Sequence, residues 1–489
     1  MGLYRRAFFF STAERYVTIV LNFVLISVIS RILTPEEIGV SVIGTTIIGF
    51  AETFRDSPSS YLVQKKELTR ADTRTAFTIM LLISLLFAAI LLAVSERLGR
   101  ALGQNDLAPF LWVIAACLLP ACLERPIMAL LRRDMQFATY AFINVTAMLT
   151  TVVLTVFLAL RGFSYMCFAW GLLGGTLVAA LLALCVRPLF WIFHPLLSEW
   201  RRVLPFNVYG GTSGLLTAVY DVIPYVILGR SAQFAVVGYF NRAMMLCRIP
   251  DKLNAGLISL ALPAFSTVVR EHGNLAKAYL RALELVTVVD WPFRVLLALF
   301  ADTAVRLILG PQWSAVVPGL QLMSLAFLSS TPLMLAYPIL VAAGGIRDTL
   351  TINLICLPVA ALAMVLGARH GLEGMALAMF LIAPVQTGVT LFFIRRRVAF
   401  DWPDLMAAVQ KSIIVSLWSA AGPLTLVLIS GGRPESSLAL SALMGILAAA
   451  GWLIGIWTTR HPICIELENA REVLLRRILR LRGGRPETG

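Results

Sequence analysis

Five cations, Arg15, Arg55, Arg242, Arg248 and Lys252, lie in or beside long apolar runs of this 489-residue chain. Ser11, Arg15, Thr18 and Asn22 recur at i, i+4, i+7 and i+11, one stripe of a helix, and Ser41, Thr45, Glu52 and Arg55 make a second. Gly210, Gly214, Thr217 and Asp221 form a third stripe, and Asn241, Met245, Arg248 and Lys252 a fourth, with Arg242 beside it. An ionisable side chain at the bilayer centre costs on the order of 2.5–3.5 kcal/mol, so such stripes face a bundle interior or a wet cavity. Set against Glu14, Glu52, Asp221 and Asp251, the cations leave a small positive excess, which suits an anionic cargo. The competing reading is internal pairing that pins helix packing, as Glu52 and Arg55 would do at i+3. Glu124 with Arg125, and Asp290 with Arg294 at i+4, read equally as ion pairs or as a relay. Asp221 is the candidate for a coupling ion or proton, against a hydrogen-bonded structural aspartate.

Enzyme chemistry is hard to place. The sequence has no Walker A, GxSxG, HExxH or CxxC pattern, and only four histidines. The cysteines, 117, 122, 167, 185, 247, 356 and 464, are scattered and mostly inside apolar runs, as small hydrophobes rather than disulfides or metal ligands. Neither a metal nor a cofactor is expected. Glycines such as Gly171 to Gly175 sit in apolar segments, where small residues serve close packing. Without a nucleotide-binding sequence, transport would draw on an ion gradient, the membrane potential or substrate flux.

The elements that must carry these stripes follow from composition. The chain is 59% hydrophobic and 14% charged, with mean hydropathy +0.83, which excludes a soluble enzyme and a disordered chain. Segments of about 20 apolar residues, enough to span about 30 Å of hydrocarbon, fall near 11–33, 38–54, 75–94, 109–131, 139–160 and 163–186. Eight more follow near 204–229, 235–267, 278–308, 316–343, 349–367, 371–394, 411–430 and 436–458. The long 235–267 and 278–308 segments contain Pro250, Pro263 and Pro292 and must be tilted or broken. Arg5 and Arg6 precede an apolar run to Leu33 without a small-residue cleavage site, which reads as a retained first helix.

Charge orients the spans. With the N-terminus inside, 27 of the 41 basic residues fall in cytoplasmic segments, Arg55 among them, and seven on the opposite side. The remaining seven, Arg15, Arg31, Arg125, Arg242, Arg248, Lys252 and Arg294, lie within or at the edges of spans. The net charge of +14 thus reflects topology, and no nucleic-acid role is expected. A faint repeat relates Arg31 and Gly39 to Arg230 and Gly238, and Thr18 and Asn22 to Thr217 and Asp221, at an offset of 199. The stretch from Arg187 to Arg202, with Trp191, Phe193 and Trp200, suits an interfacial segment or a loop with aromatic anchors, and the last 30 residues suit a basic amphipathic helix.

Four stretches carry a resemblance: R-I-L-T-P-E-E-I-G from Arg31 to Gly39; F-R-D-S-P-S-S-Y-L-V-Q-K-K-E-L-T-R-A-D-T-R-T-A-F from Phe54 to Phe77; G-Y-F-N-R-A from Gly238; and G-P-Q-W-S-A-V-V-P-G-L-Q from Gly310. They resemble the polysaccharide-export, Wzx-like branch of the MOP flippase superfamily, over most of residues 5–395 and more thinly beyond. Where that family has Asp-x-Gly, this chain has Asp56, Ser57 and Pro58, and Pro58 can fix a turn by another route.

The resemblance implies an all-α polytopic membrane protein of about 14 transmembrane helices, with two pseudo-symmetric six-helix lobes around a central cationic cavity, two additional C-terminal helices, and alternating access. The segments would be an N-terminal lobe at 1–186, an interfacial linker at 187–203, a second lobe at 204–394, two extra spans at 395–459 and a basic tail at 460–489. The cargo would be a polyprenyl diphosphate carrying an oligosaccharide repeat unit, moved across the bacterial inner membrane with both termini cytoplasmic. A downstream polysaccharide polymerase and export machinery would be its partners. Arg15, Arg55, Arg242, Arg248 and Lys252, with Arg31 near the outer end of its helix, would then meet the diphosphate. Ser11, Thr18, Asn22, Asn241 and Glu52 would line the glycan path, and Asp221 would be the coupling-ion site. The rivals are a cation-coupled drug exporter, whose cavity should be acidic or aromatic, and a polysaccharide polymerase or ligase, which needs a larger outer loop. A non-transporting scaffold would not need charged stripes.

Overall fold

The computed structural model describes residues 2–101, 107–231, 233–429 and 438–464, with side chains left aside at 2–8, 204–218, 231 and 438. The expected basic helix after residue 464 and the side chain of Thr217 lie outside the described parts. Two compact units emerge. The first comprises Met1–Arg242, Ile308–Val316 and Met364–Met375, and the second Ala243–Leu307, Val317–Ala363 and Ala376–Gly489.

In chain order the first unit begins with α1 (Gly2–Ile32), α2 (Pro35–Arg55), α3 (Ser57–Gln64) and α4 (Arg70–Ala101). It continues with α5 (Leu107–Arg133), α6 (Phe137–Leu160), α7 (Met166–Val186), α8 (Trp200–Ser231) and the start of α9 (Phe234–Cys247). The second unit holds α10 (Ile249–Arg270), α11 (Leu275–Leu299), α12 (Ala301–Ile308), α13 (Val317–Ser330) and α14 (Ala336–Ala342). After them come α15 (Ile346–Ala368) and α16 (Gly371–Arg397), whose adjoining ends at Met364–Met375 belong to the first unit, then α17 (Trp402–Ile429) and α18 (Leu438–Thr458).

Every regular element among the described residues is helical, and twelve stretches are long and apolar enough to cross a membrane. α8 and α11 occupy the other two predicted spans; α11 is less apolar because it carries Glu284, Asp290 and Arg294. The chain is a polytopic all-α membrane protein. The helical path continues past the expected end of the second span: only Asp56 separates α2 from α3, so Arg55 is followed by helix rather than by a loop. The reason is local: Asp56 keeps helical φ and ψ, −82° and −9°, and Pro58 enters the first turn of α3, where its missing N–H costs nothing.

Capping shapes the first unit. Thr34 and Glu37 form a reciprocal capping box at the start of α2, with Pro35 at the first helical position. Because the Thr34 N–H is spent on Glu37 (2.7 Å), the Ser30 carbonyl of α1 loses its usual partner. It accepts instead from the Trp313 indole at 2.6 Å and from Gln312, which also donates to the Leu33 carbonyl at 3.1 Å. The G-P-Q-W stretch is therefore the clasp on the C-terminal end of α1. At the start of α4, Thr69 and Asp72 make a second box, and Asp72 also takes Lys65 (2.7 Å) and Tyr61 (3.0 Å). Arg133 closes the end of α3 by donating to the carbonyls of Leu62, Lys65 and Lys66. The segment before α8 docks on α4, with Arg74 donating to the His194 carbonyl at 2.8 Å and Arg70 stacked over Trp191. Gly171 and Gly175 leave no room for a Cβ against Thr155 and Thr151 of α6, which is close packing as predicted.

In the second unit the predicted 235–267 span breaks at Arg248, just before Pro250. The 278–308 span also breaks, but at Phe300 rather than at Pro292, which α11 carries in its interior. Pro292 cannot donate to the Val288 carbonyl one turn back; the Trp452 indole does so at 2.9 Å. Likewise the Leu328 carbonyl, which precedes Pro332 by four residues, accepts from the Trp291 indole at 2.9 Å.

Candidate functional site

The polar residues of the first unit divide by accessibility. On α1, Ser11 and Arg15 are exposed, while Asn22 turns toward α6, donating to the Thr18 carbonyl at 3.0 Å and meeting the Met148 sulfur at 4.0 Å. Glu14, next to Arg15, accepts from Asn144 of α6 at 3.3 Å. One helix thus directs its carboxylate inward and its guanidinium outward. Arg31, also exposed, ends α1, where a cation complements the carbonyl end of the helix.

Arg55 behaves differently from Arg15. It is 0% exposed, with Nη2 3.2 Å from Glu52 and Nε 2.9 Å from Asp56, and Arg125 of α5 reaches the other Asp56 oxygen at 3.4 Å. The internal pairing that i+3 spacing allowed is the arrangement observed. In this conformation the Arg55 guanidinium has no surface to offer an incoming phosphate.

Arg242 is 5% exposed and stacks over Trp313 with its guanidinium carbon 5.6 Å from the ring centroid. Asn241 donates to the Tyr225 hydroxyl at 3.2 Å, and Asp221 is half-buried on α8. The same Trp313 therefore clasps the end of α1 and receives Arg242.

In the second unit Arg248 and Lys252 are exposed, one on the break between α9 and α10 and one a turn further on. Arg294, 2% exposed, staples that break. Its Nη1 donates to the Cys247 carbonyl at the end of α9 (3.1 Å), its Nη2 meets Asp251 in the first turn of α10 (2.6 Å), and its Nε meets Asp290 (2.7 Å). Asp290, 0% exposed, also accepts from Thr331 at 2.6 Å and Asn254 at 3.4 Å. A guanidinium at a helix C-terminus and a carboxylate in a helix first turn each suit the local dipole, so one side chain satisfies both ends. Asp251 and Asp290 both meet Arg294, while Arg248 and Lys252 are exposed.

The residues that the sequence singled out thus fall into four described settings: exposed Arg15 and Arg31 on α1, the buried Arg55 with Glu52, Asp56 and Arg125, Asn241 and Arg242 against Tyr225 and Trp313, and exposed Arg248 and Lys252 near Arg294. The clasp of Gln312 and Trp313 lies beyond such reasoning, because it acts on Ser30 about 280 positions away. Among the described residues no group of histidine, cysteine and carboxylates is placed to hold a metal ion.

The sequence pattern of the polysaccharide biosynthesis protein family matches residues 28–318. The chain is similar to the lipopolysaccharide biosynthesis protein WzxC of Escherichia coli (strain K12), 21% identical over 421 residues that cover 83% of this chain and 82% of that protein. It is also similar to the succinoglycan biosynthesis transport protein ExoT of Rhizobium meliloti (strain 1021), 26% identical over 331 residues and 66% of each chain. Among solved structures, the lipid II flippase MurJ in an inward closed conformation superposes with a TM-score of 0.72 at 14% identity, over 95% of this chain and all of that one, and so shares the fold. With the family pattern spanning more than half of its length and the signatures at Arg31–Gly39 and Phe54–Phe77 inside that span, the chain belongs to the polysaccharide biosynthesis protein family, in its Wzx-like flippase branch.

Proposed function

We propose that this protein is a flippase that carries a polyprenyl-diphosphate-linked oligosaccharide repeat unit from the cytoplasmic to the periplasmic leaflet of a bacterial inner membrane, by alternating access, for later polymerisation into an exported polysaccharide. The observation that carries the reading is the division of charge inside the spans. Glu52 and Asp56 are engaged by the buried Arg55, and Asp251 and Asp290 by the buried Arg294, whereas Arg15, Arg248 and Lys252 are exposed cations. Exposed cations in an apolar setting suit a diphosphate, which accepts charge-assisted hydrogen bonds from them. Arg31 is a further exposed partner; Arg242, stacked on Trp313, and Arg55, enclosed, would need to move before touching the cargo. Exposed Ser11 with half-buried Asn22, Thr18 and Asn241 supplies hydroxyl and amide groups for a glycan. The 27-to-7 division of basic residues supports cytoplasmic termini, and the printed roles of WzxC, ExoT and MurJ support cargo of this class.

The test is genetic and chemical together. A strain lacking the protein should accumulate the complete, unpolymerised repeat unit on the cytoplasmic leaflet, and the Arg15→Ala plus Arg248→Ala variant should do the same at normal membrane abundance. Normal polymer export by that well-expressed double variant would reject the assignment.

A further inference from the structure

The segment that joins α7 to α8 holds one short helical turn, Phe190–Phe193, and its two sides differ. One side is buried. Ile192 is 0% exposed in a core with Phe77, Met80, Cys122 and Leu130, and the Phe193 ring meets Phe77 edge-on at 5.1 Å. The Thr78 hydroxyl of α4 accepts from the Leu196 N–H at 2.9 Å, and Arg187 meets Asp134 at 2.7 Å. Together with the bond from Arg74 to the His194 carbonyl, these contacts fix the segment on the ends of α4 and α5. The other side is open and apolar: Phe190 is 63% exposed, Leu197 44% and, at the start of α8, Trp200 45%. Such a face on a segment that does not span suits the boundary between headgroups and acyl chains.

Three guanidiniums border this segment, each over an aromatic ring: Arg70 over Trp191 (5.4 Å to the centroid), Arg132 over Tyr140 (5.2 Å) and Arg201 over Trp200 (5.5 Å). Each has a carboxylate two positions away in the chain, and another cation takes that carboxylate. Asp72 pairs with Lys65 (2.7 Å), Asp134 with Arg187 (2.7 Å) and Glu199 with Arg202 (2.9 Å). Glu67 is exposed and pairs with none of the three. Contact with a ring restrains a guanidinium yet leaves N–H groups on its edge, the arrangement that binds a phosphate in bidentate fashion.

We propose that Arg70, Arg132 and Arg201, beside the exposed aromatic face, bind the phosphodiester headgroups of anionic phospholipids and so hold this end of the first unit in the cytoplasmic leaflet. A lipid fits better than a free anion, because acyl chains give Phe190, Leu197 and Trp200 an apolar surface to enter. A zwitterionic headgroup fits less well, because its own cation is repelled by the arginines. The side of the membrane rests on the charge division used for the proposed function; the site itself does not depend on the cargo.

Mass spectrometry of the intact full chain, released from detergent with defined lipids added, tests this. Wild-type protein should retain phosphatidylglycerol in preference to phosphatidylcholine. Arg201→Gln should weaken that retention about fivefold, and adding Arg70→Gln and Arg132→Gln should weaken it by a similar factor each, the size expected for one cation at an anionic surface. Melting temperatures check that the variants are folded, and Arg201→Gln alone carries the comparison if the triple variant is not. Arg347→Gln, which removes an exposed cation of the second unit, should leave retention unchanged; an equal loss there would mean attraction to net charge alone and overturn the site. Added inorganic phosphate should not displace the lipid, and displacement would reject a lipid in favour of a free anion. Equal retention of the two lipids by wild type, or unchanged retention in the arginine variants, would also overturn the proposal. No cargo is present, so this result stands apart from the flippase test.

Discussion

Gly39 of α2 and Gly238 of α9 lie against each other reciprocally. A Cβ on Gly39 would meet the Gly238 nitrogen at 3.3 Å and run into the Phe234 carbonyl; a Cβ on Gly238 would meet the Gly39 nitrogen at 3.3 Å and run into the Pro35 carbonyl. Each obstructing carbonyl lies four residues before the opposing glycine, so the offset of 199 that relates the two segments in sequence also relates the two sides of the contact. Gly39→Ala and Gly238→Ala should each cost roughly 1–3 kcal/mol through overpacking, seen as a lower melting temperature in detergent. Gly256→Ala on α10, where a Cβ meets nothing within 4 Å, should hold or raise it. The double alanine variant should cost less than the sum of the single ones, because both strain one crossing.

Removing Arg294 leaves Asp290 fully buried without its cation. Arg294→Ala is expected to destabilise by about 3–5 kcal/mol, whereas Arg294→Met combined with Asp290→Asn should recover part of that loss. Thermal unfolding of the four corners of this cycle measures the coupling. Additive losses would mean that the pair is not a unit.

The Trp452 indole stands in for the N–H that Pro292 lacks. Trp452→Phe should cost about 1–3 kcal/mol, since the Val288 carbonyl loses its donor in an apolar setting. In a Pro292→Ala background the same change should cost clearly less, because the new backbone N–H can take over. Equal losses in both backgrounds would show that the indole acts by packing alone.

His461, after the last span, is 1% exposed, with Nδ1 accepting from the Ile463 N–H at 3.2 Å and Nε2 3.9 Å from Glu284, which also pairs with Lys411 and Arg281. Burial, and then the Lys411 and Arg281 cations, push the imidazole down from an ordinary 6.5 to about 4. The unfolded chain therefore binds this proton at higher pH than the folded one, so the contribution is fully present above about pH 6.5 and is lost as pH falls toward 4. Melting temperatures followed over that window should fall less steeply in His461→Asn than in wild type.

Much of this was readable before any coordinates. Apolar run lengths placed the spans, i+3 and i+4 spacing marked Glu52 with Arg55 and Asp290 with Arg294, and Pro250 marked the break at Arg248. What escaped were partners distant in the chain. Pro292 looked like a break because nothing local could reveal Trp452, and Arg55 looked like the start of a loop because the continuation of the helix depends on how Asp56 and Pro58 are accommodated. Likewise Arg15 and Arg55 are equivalent as residue types in a polar stripe. Only their surroundings separate an outward guanidinium from one enclosed by two carboxylates.

The clasp on α1 bears on how the protein is made. Residues 308–316 and 364–375 belong to the first unit although more than sixty residues of other structure precede them after Arg242. A ribosome that has delivered residues 1–242 has therefore not delivered a finished unit: the Ser30 and Leu33 carbonyls wait for Gln312 and Trp313. Biogenesis of the amino-terminal half is completed late, and a fragment ending at residue 242 would enter the membrane lacking part of its own architecture.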